Sequence, residues 1–191
     1  MTLPSLVSPG NLPHGRHRVT EIEVYERFVT HPEFVASSTR PEIWAQYEDA
    51  RELLKGAIRV HAVWVGGSFT TSKLDPQDID AVFLVSARDY ARASKEDKQV
   101  VDAFAPRRNA FGVAVRGHPF NRVDSFVLHW RPWPNPDPNA SASAAQYCQA
   151  RGYWDDFWQR LRKGSKDAPP TWHDGLPERG YLEVELDAFD R

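Results

Sequence analysis

Apolar residues first recur at helical spacing after Thr20, where Ile22, Tyr25, Phe28 and Val29 fall on one side of a 3.6-residue period. Thr20 and Glu23 form a capping-box pattern, in which the threonine hydroxyl accepts the Glu23 amide and the Glu23 carboxylate reaches back. The same device over 39–42 opens a second stripe, Ile43, Tyr47, Ala50 and Leu54, which Gly56 ends. Then the period changes. Residues 59–65 and 79–85 are rich in β-branched and aromatic residues and predict strands, and Ser94 begins a helix carrying Val100, Val101 and Phe104. Residues 113–115 and 123–129 predict two more strands joined by the turn RGHPFN. Residues 131–145 are Pro-rich, then Ala/Ser-rich, and predict a surface loop without an apolar period. Trp154, Phe157, Trp158 and Leu161 follow at i, i+3, i+4 and i+7, a stripe that buries about 500 Å² when covered; it predicts core packing ahead of a base-stacking platform. The segment GYLEVEL near the end alternates Leu182, Val184 and Leu186 with Glu183 and Glu185, as a half-buried edge strand would. Residues 1–18 carry Pro and Gly at spacings that forbid a helix and predict an extended arm, whose His14 and His17 are solvated loop histidines before they are a metal pair.

Helices and strands in this order imply an α+β fold, a mixed sheet backed by helices. A chain of 191 residues fits a single domain that buries roughly two thirds of its unfolded surface and needs no disulfide scaffold. Its one cysteine, Cys148, forms no internal disulfide, and no charged start followed by an apolar segment precedes the first prolines, which together imply a cytoplasmic protein. No apolar run approaches the ~20 residues of a membrane span, so no membrane partner is expected. A net charge of −2 exerts no general pull on nucleic acid, so any such contact has to be local.

The candidate chemistry lies in VWVGGSFTTSKLDPQDIDAVFLV, residues 63–85. Strand side chains alternate, so Asp78 and Asp80 project to one side roughly 6–7 Å apart while Ile79, Ala81, Phe83 and Val85 take the other. Two carboxylates so placed repel unless water or a cation lies between them, and Mg²⁺ is a hard ion suited to one or two carboxylates plus phosphate oxygens. Just upstream, Gly66 and Gly67 let the backbone approach an anion and Ser68 adds a hydroxyl, the makings of a phosphate seat; Lys73 can add a positive charge to a polyphosphate there. A third acid comes from NRVDSFVLHW, where Asp124 sits among apolar residues 44 positions after Asp80. On a neighbouring strand it would share the pair's side, and an isolated carboxylate between Val123 and Phe126 would otherwise be costly. Arg122, Arg116 and His118 lead into that strand as candidate holders of a triphosphate or an RNA end, with Arg122 the strongest of the three. Arg107 and Arg108 make too short a basic step to argue for a nucleic-acid groove.

With Gly67-Ser68 behind an apolar strand, nine residues, Asp78-Ile79-Asp80 on a second strand and a later Asp124, the sequence resembles the polymerase β-type nucleotidyltransferase superfamily. Within it, GSFTTSKLDPQDID is most similar to a small uncharacterised bacterial group related to toxin-antitoxin and abortive-infection enzymes, and the flanks LPHGRHRVTEIEVYERFV, YWDDFW and RGYLEVEL extend the likeness over nearly the whole chain. The resemblance implies a minimal mixed sheet backed by helices and two Mg²⁺ or Mn²⁺ ions on Asp78, Asp80 and Asp124. It also implies a nucleoside triphosphate such as ATP as substrate, and transfer of its NMP to a hydroxyl of RNA or protein. A toxin-antitoxin or phage-defence setting, with an antitoxin or other partner protein, rests on the resemblance alone. The chain has no counterpart of the separate acceptor domain of tRNA-adding and poly(A)-adding relatives. Two other readings stand beside this one. The same fold can serve as a non-catalytic nucleotide- or partner-binding module, which three intact acids disfavour. An Asp-x-Asp can also hold a metal in a nucleotide-sugar glycosyltransferase, which the Gly-Ser turn ten residues upstream disfavours.

Overall fold

The Thr20 capping box forms as the spacing predicts: the Thr20 hydroxyl accepts the Glu23 amide at 3.2 Å and Glu23 Oε2 accepts the Thr20 amide at 2.7 Å. The structure is a computed structural model that describes residues 3–108, 114–115, 117–134, 137–165, 167–187 and 189. Its elements in chain order are β1 (Gly15–Val19), α1 (Glu21–Tyr25) running on as a π-helical turn (Glu26–Thr30), α2 (Arg40–Ala57) and β2 (Val60–Gly66). A 3-10 turn (Gly67–Thr70), β3 (Ile79–Ser86), α3 (Ala87–Arg92), α4 (Lys95–Ala103), β4 (Arg107–Arg108) and β5 (Ala114–Val115) follow. The chain continues with β6 (Val123–Trp130), α5 (Ala142–Gln159) and β7 (Gly180–Glu185).

Five strands make one mixed sheet in the order β1-β7-β2-β3-β6. The β1/β7 and β3/β6 pairs are parallel; β7/β2 and β2/β3 are antiparallel. Helices back the sheet, so the fold is the mixed α+β architecture that the pattern implied. Along β3 the alternation sends Ile79, Ala81, Phe83 and Val85 to the core shared with α2, while Val82 and Leu84 join a second cluster with Trp64, Leu128, Tyr181 and Trp158 of α5. On α2, Ile43, Tyr47, Ala50 and Leu54 are all fully buried, and each of the large ones contributes roughly 1.5–3 kcal/mol. Among the described residues no helix is long and apolar enough to cross a membrane.

The N-terminal segment is not extended arm throughout, because Gly15–Val19 adds to the sheet as β1 beside β7, and His17 Nε2 bonds the Pro13 carbonyl at 2.7 Å. Ile22 is 69 % exposed; the buried positions of the first helix are Val24, Phe28 and Val29, since the π-helical turn rotates the apolar side. Thr39 caps nothing. Its backbone is already helical, with φ −112° and ψ −33°, and its buried hydroxyl has no hydrogen-bond partner. Ser37 Oγ instead accepts the amides of Thr39 and Arg40, at 3.3 and 3.1 Å. The strand at 114–115 pairs with β4 rather than with β6, and Val113 lies outside the described residues. The loop is shorter than 131–145, because Ser141 Oγ accepts the Ala144 amide at 3.1 Å and opens α5 at Ala142. GYLEVEL is no edge strand: β7 lies between β1 and β2, and Glu183 is 3 % exposed.

Asp75 fastens the start of α2, with Oδ1 accepting Ser37 Oγ at 3.0 Å, Ser38 N at 2.8 Å and Ser38 Oγ at 3.1 Å. The Ser38 amide first, and then the Ser37 hydroxyl, hold its carboxyl below the ordinary value of 3.8. A depressed carboxyl contributes stability that is whole above pH 3.8 and is lost as the pH falls through the lower folded-state value. Urea unfolding of the protein and of Asp75→Asn should therefore differ more at pH 6 than at pH 3; an equal difference at both would refute this role.

Candidate active site

β3 and β6 run parallel and in register, with Ile79 beside Val123, Asp80 beside Asp124 and Ala81 beside Ser125. Ile79, Ala81 and Val123 belong to the α2 core, so Asp80 and Asp124 take the opposite side, the one that Val82, Leu84 and Leu128 share. Paired strands lie about 4.8 Å apart, which puts the two carboxylates within reach of one cation. Helix α5 covers this side of the sheet further along: Trp154 packs on Phe126 at 4.4 Å between ring centres, and Trp158 is 2 % exposed. Asp80 and Asp124 stay partly exposed at the rim of that cover, as does Asp78 in the loop entering β3.

The two glycines of the turn have separate tasks. Gly66 closes β2 opposite Asp80, and a β-carbon there would stand 2.9 Å from the Trp158 ring, so Gly66 admits α5. Gly67 has φ +70°, a left-handed conformation that costs other residues about 1–2 kcal/mol. A β-carbon on Gly67 would overlap Asp80 Oδ2 and stand 2.6 Å from Asp80 Cγ, so the carboxylate lies directly against the glycine backbone. Ser68 is partly exposed, and its carbonyl accepts the Thr71 hydroxyl at 2.8 Å. Turn and acid are thus in contact, as their spacing in the sequence implied.

The loop between them is fastened from below by Arg40, a fully buried residue. Its Nε donates to the Leu74 carbonyl at 3.1 Å, Nη1 to Phe28 at 2.9 Å and Phe69 at 2.8 Å, and Nη2 to Thr71 at 2.9 Å and Lys73 at 2.6 Å. All five donors of the guanidinium are used on main-chain carbonyls. Its Cζ lies 3.9 Å from the centre of the Phe34 ring. Burial pulls its pKa down to about 10, which leaves it charged at neutral pH. Lys73 is exposed, on a backbone that Arg40 holds.

Arg122 is occupied elsewhere. Nη1 donates to the Gln77 carbonyl and Nη2 to Glu42 of α2, each at 3.1 Å, so it ties the loop before β3 to that helix. His118 Nε2 lies 2.7 Å from Ser125 Oγ and its ring stacks on Phe104, on the side of the sheet away from the aspartates. Arg116 lies outside the described residues. Arg179, just before β7, lies within electrostatic reach of Asp80 and donates Nε to the Trp158 carbonyl at 3.2 Å. Burial lowers its pKa, while the negative charge of Asp80 acts in the opposite direction. Sequence reasoning missed Arg179 and Arg40; the one visible signal was an arginine directly ahead of the apolar alternation of β7.

Among the described residues no three His, Cys, Asp or Glu side chains form a ready metal cage. Two carboxylates in register fit a smaller share, the one or two that Mg²⁺ takes from a protein when phosphate oxygens and water complete its shell. Asp80 and Asp124 are that pair, and Asp78 stands two residues before the first of them. The model of a family of unknown function, DUF6932, matches residues 4–185, and the chain belongs to that family. No curated protein and no solved structure matches it.

Proposed function

We propose that this member of DUF6932 is a nucleotidyltransferase that moves NMP from a nucleoside triphosphate to a hydroxyl of RNA or protein. The observation that carries the reading is the register of Asp80 beside Asp124, with the Gly67 backbone pressed against Asp80. In the reaction the acceptor oxygen forms a bond to the α-phosphorus, the α–β bridging P–O bond breaks, and pyrophosphate leaves with that electron pair. Asp124, partly exposed on the side where the acceptor must approach, takes the hydroxyl proton. Asp80 and Asp124, with Asp78 beside them, would hold Mg²⁺ or Mn²⁺, which when bound supplies the positive charge that the phosphates and leaving pyrophosphate require. Gly66, Gly67 and Ser68 let the triphosphate approach the backbone, and Arg179 and Lys73 add positive charge at its two sides. Chemistry of this type depends mainly on alignment and charge neutralisation, so a rigid turn and two fixed carboxylates are a sufficient protein share.

The test offers each α-labelled NTP, with Mg²⁺ or Mn²⁺, to the purified protein together with total RNA and cell lysate, and compares it with Asp80→Ala. Label on an acceptor from the wild-type protein alone supports transfer. Label in both samples or in neither counts against it, and metal-dependent NTP binding without transfer would favour the non-catalytic module instead.

A further inference from the structure

Glu183 stands in the middle of the sheet with its side chain 4 % exposed. Arg18 Nε donates to its Oε1 at 2.9 Å and Trp64 Nε1 to its Oε2 at 2.8 Å, while Arg16 Nη1 lies 3.4 Å from Oε2. One buried carboxylate therefore fixes two guanidiniums projecting from β1. A third arrives from α5: Arg16 and Arg151 lie 5.6 and 5.9 Å from the centre of the same Trp64 ring. Arg16, Arg18, Arg151 and Glu183 line a cavity of about 210 Å³ whose other walls are Leu84, Trp130 and Phe189. Among the described residues, Glu185, whose charge acts on Arg18, and Asp155, which accepts the Tyr181 hydroxyl, are carboxylates nearby.

The lining itself carries three guanidiniums and one carboxylate, and with Arg18 58 % exposed at its mouth it presents positive charge that an anion can pair. The rest of the lining is largely aromatic, with the Trp130 and Phe189 ring centres 4.9 Å apart and their planes inclined at 53°. We propose that this cavity binds a phosphorylated nucleoside, its phosphate on Arg16, Arg18 and Arg151 and its base against Trp130 and Phe189. The source is either a free mononucleotide or the phosphorylated end of single-stranded RNA. Leu84 is four residues along β3 from Asp80, about 13 Å on the same side of the sheet, so this is a second site. It needs no metal and does not depend on the transfer reaction.

Calorimetric titrations in EDTA keep the metal-dependent site silent, so the two readings fail separately. The probes are AMP, adenosine, inorganic phosphate, and a short oligoribonucleotide with a 5′-phosphate or a 5′-hydroxyl. The variant is Arg151→Gln, whose guanidinium donates to the Tyr147 hydroxyl at 3.1 Å on its own helix, so the fold is retained. At least one phosphorylated nucleoside probe should bind, about tenfold less tightly to Arg151→Gln, with adenosine and inorganic phosphate weaker than AMP. Tighter binding of the 5′-phosphorylated RNA than of AMP assigns an RNA end, and the reverse order a free nucleotide. The proposal is overturned if neither phosphorylated probe binds, if Arg151→Gln binds equally, or if phosphate alone or the 5′-hydroxyl RNA matches its nucleotide counterpart.

Discussion

Replacing Arg40 with methionine is expected to lower the free energy of unfolding by about 3–5 kcal/mol, because five buried carbonyls lose their donor at about 1 kcal/mol each. The methionine fills much of the same space between Phe34 and Phe69, so the loss comes from hydrogen bonds rather than from a cavity. Five carbonyls, those of Phe28, Phe69, Thr71, Lys73 and Leu74, lose their donors together. Each stranded buried acceptor costs about 1 kcal/mol or more, and water reaching the outer ones keeps the total below the simple sum. Arg40→Lys keeps the charge but has three donors for five acceptors and should recover only part of the loss. Urea unfolding at neutral pH measures both variants. A methionine variant within about 1 kcal/mol of wild type would show that the guanidinium is not what holds the loop. Because Thr71, Lys73 and Leu74 lie between the glycine turn and Asp78, limited proteolysis should also cut the variant faster between residues 71 and 78.

What the sequence reveals of this molecule follows the range of each interaction. Helix α2 is legible because its stripe is local, four residues at helical spacing that all prove fully buried. The contact between Gly67 and Asp80 is legible because a turn and an acid 13 positions later, on the antiparallel strand that adjoins it, come together at one end of the hairpin. The register of Asp80 with Asp124 is a different matter: a separation of 44 positions says that the two can be neighbours but not that they are level. Glu183 was hidden for a related reason. Alternation within GYLEVEL separates two sides but does not say that β1 covers one edge, nor that Arg16 and Arg18 from the other end of the chain will neutralise a buried carboxylate. β1 itself, GRHRV, carries three basic side chains in five residues and has no apolar alternation to mark it. Arg40 stands at a helix start, where an arginine ordinarily faces water; only the folded loop around it makes it a core residue.

Gly67→Ala should separate the site from the fold. The alanine must occupy φ +70°, at a cost of about 1–2 kcal/mol, which a domain of this size tolerates as a drop of a few degrees in Tm. Its β-carbon takes the place of Asp80 Oδ2, so the carboxylate has to rotate away from the turn while the Asp80 backbone stays in the ladder between Gly66 and Asp124. A displacement of about 1 Å at a reacting centre costs on the order of 100-fold, and nucleotidyl transfer should fall by at least about that factor. Gly66→Ala is the contrasting variant, because its β-carbon meets the Trp158 ring at 2.9 Å and strains the packing of α5 without touching Asp80. If Asp80 is the working carboxylate, Gly67→Ala loses metal-dependent NTP binding while far-UV circular dichroism is retained, and Gly66→Ala loses thermal stability first. Wild-type NTP binding by a folded Gly67→Ala protein would mean that the position of the Asp80 carboxylate against the turn is immaterial, and the assignment of Asp80 to the site would fall with it.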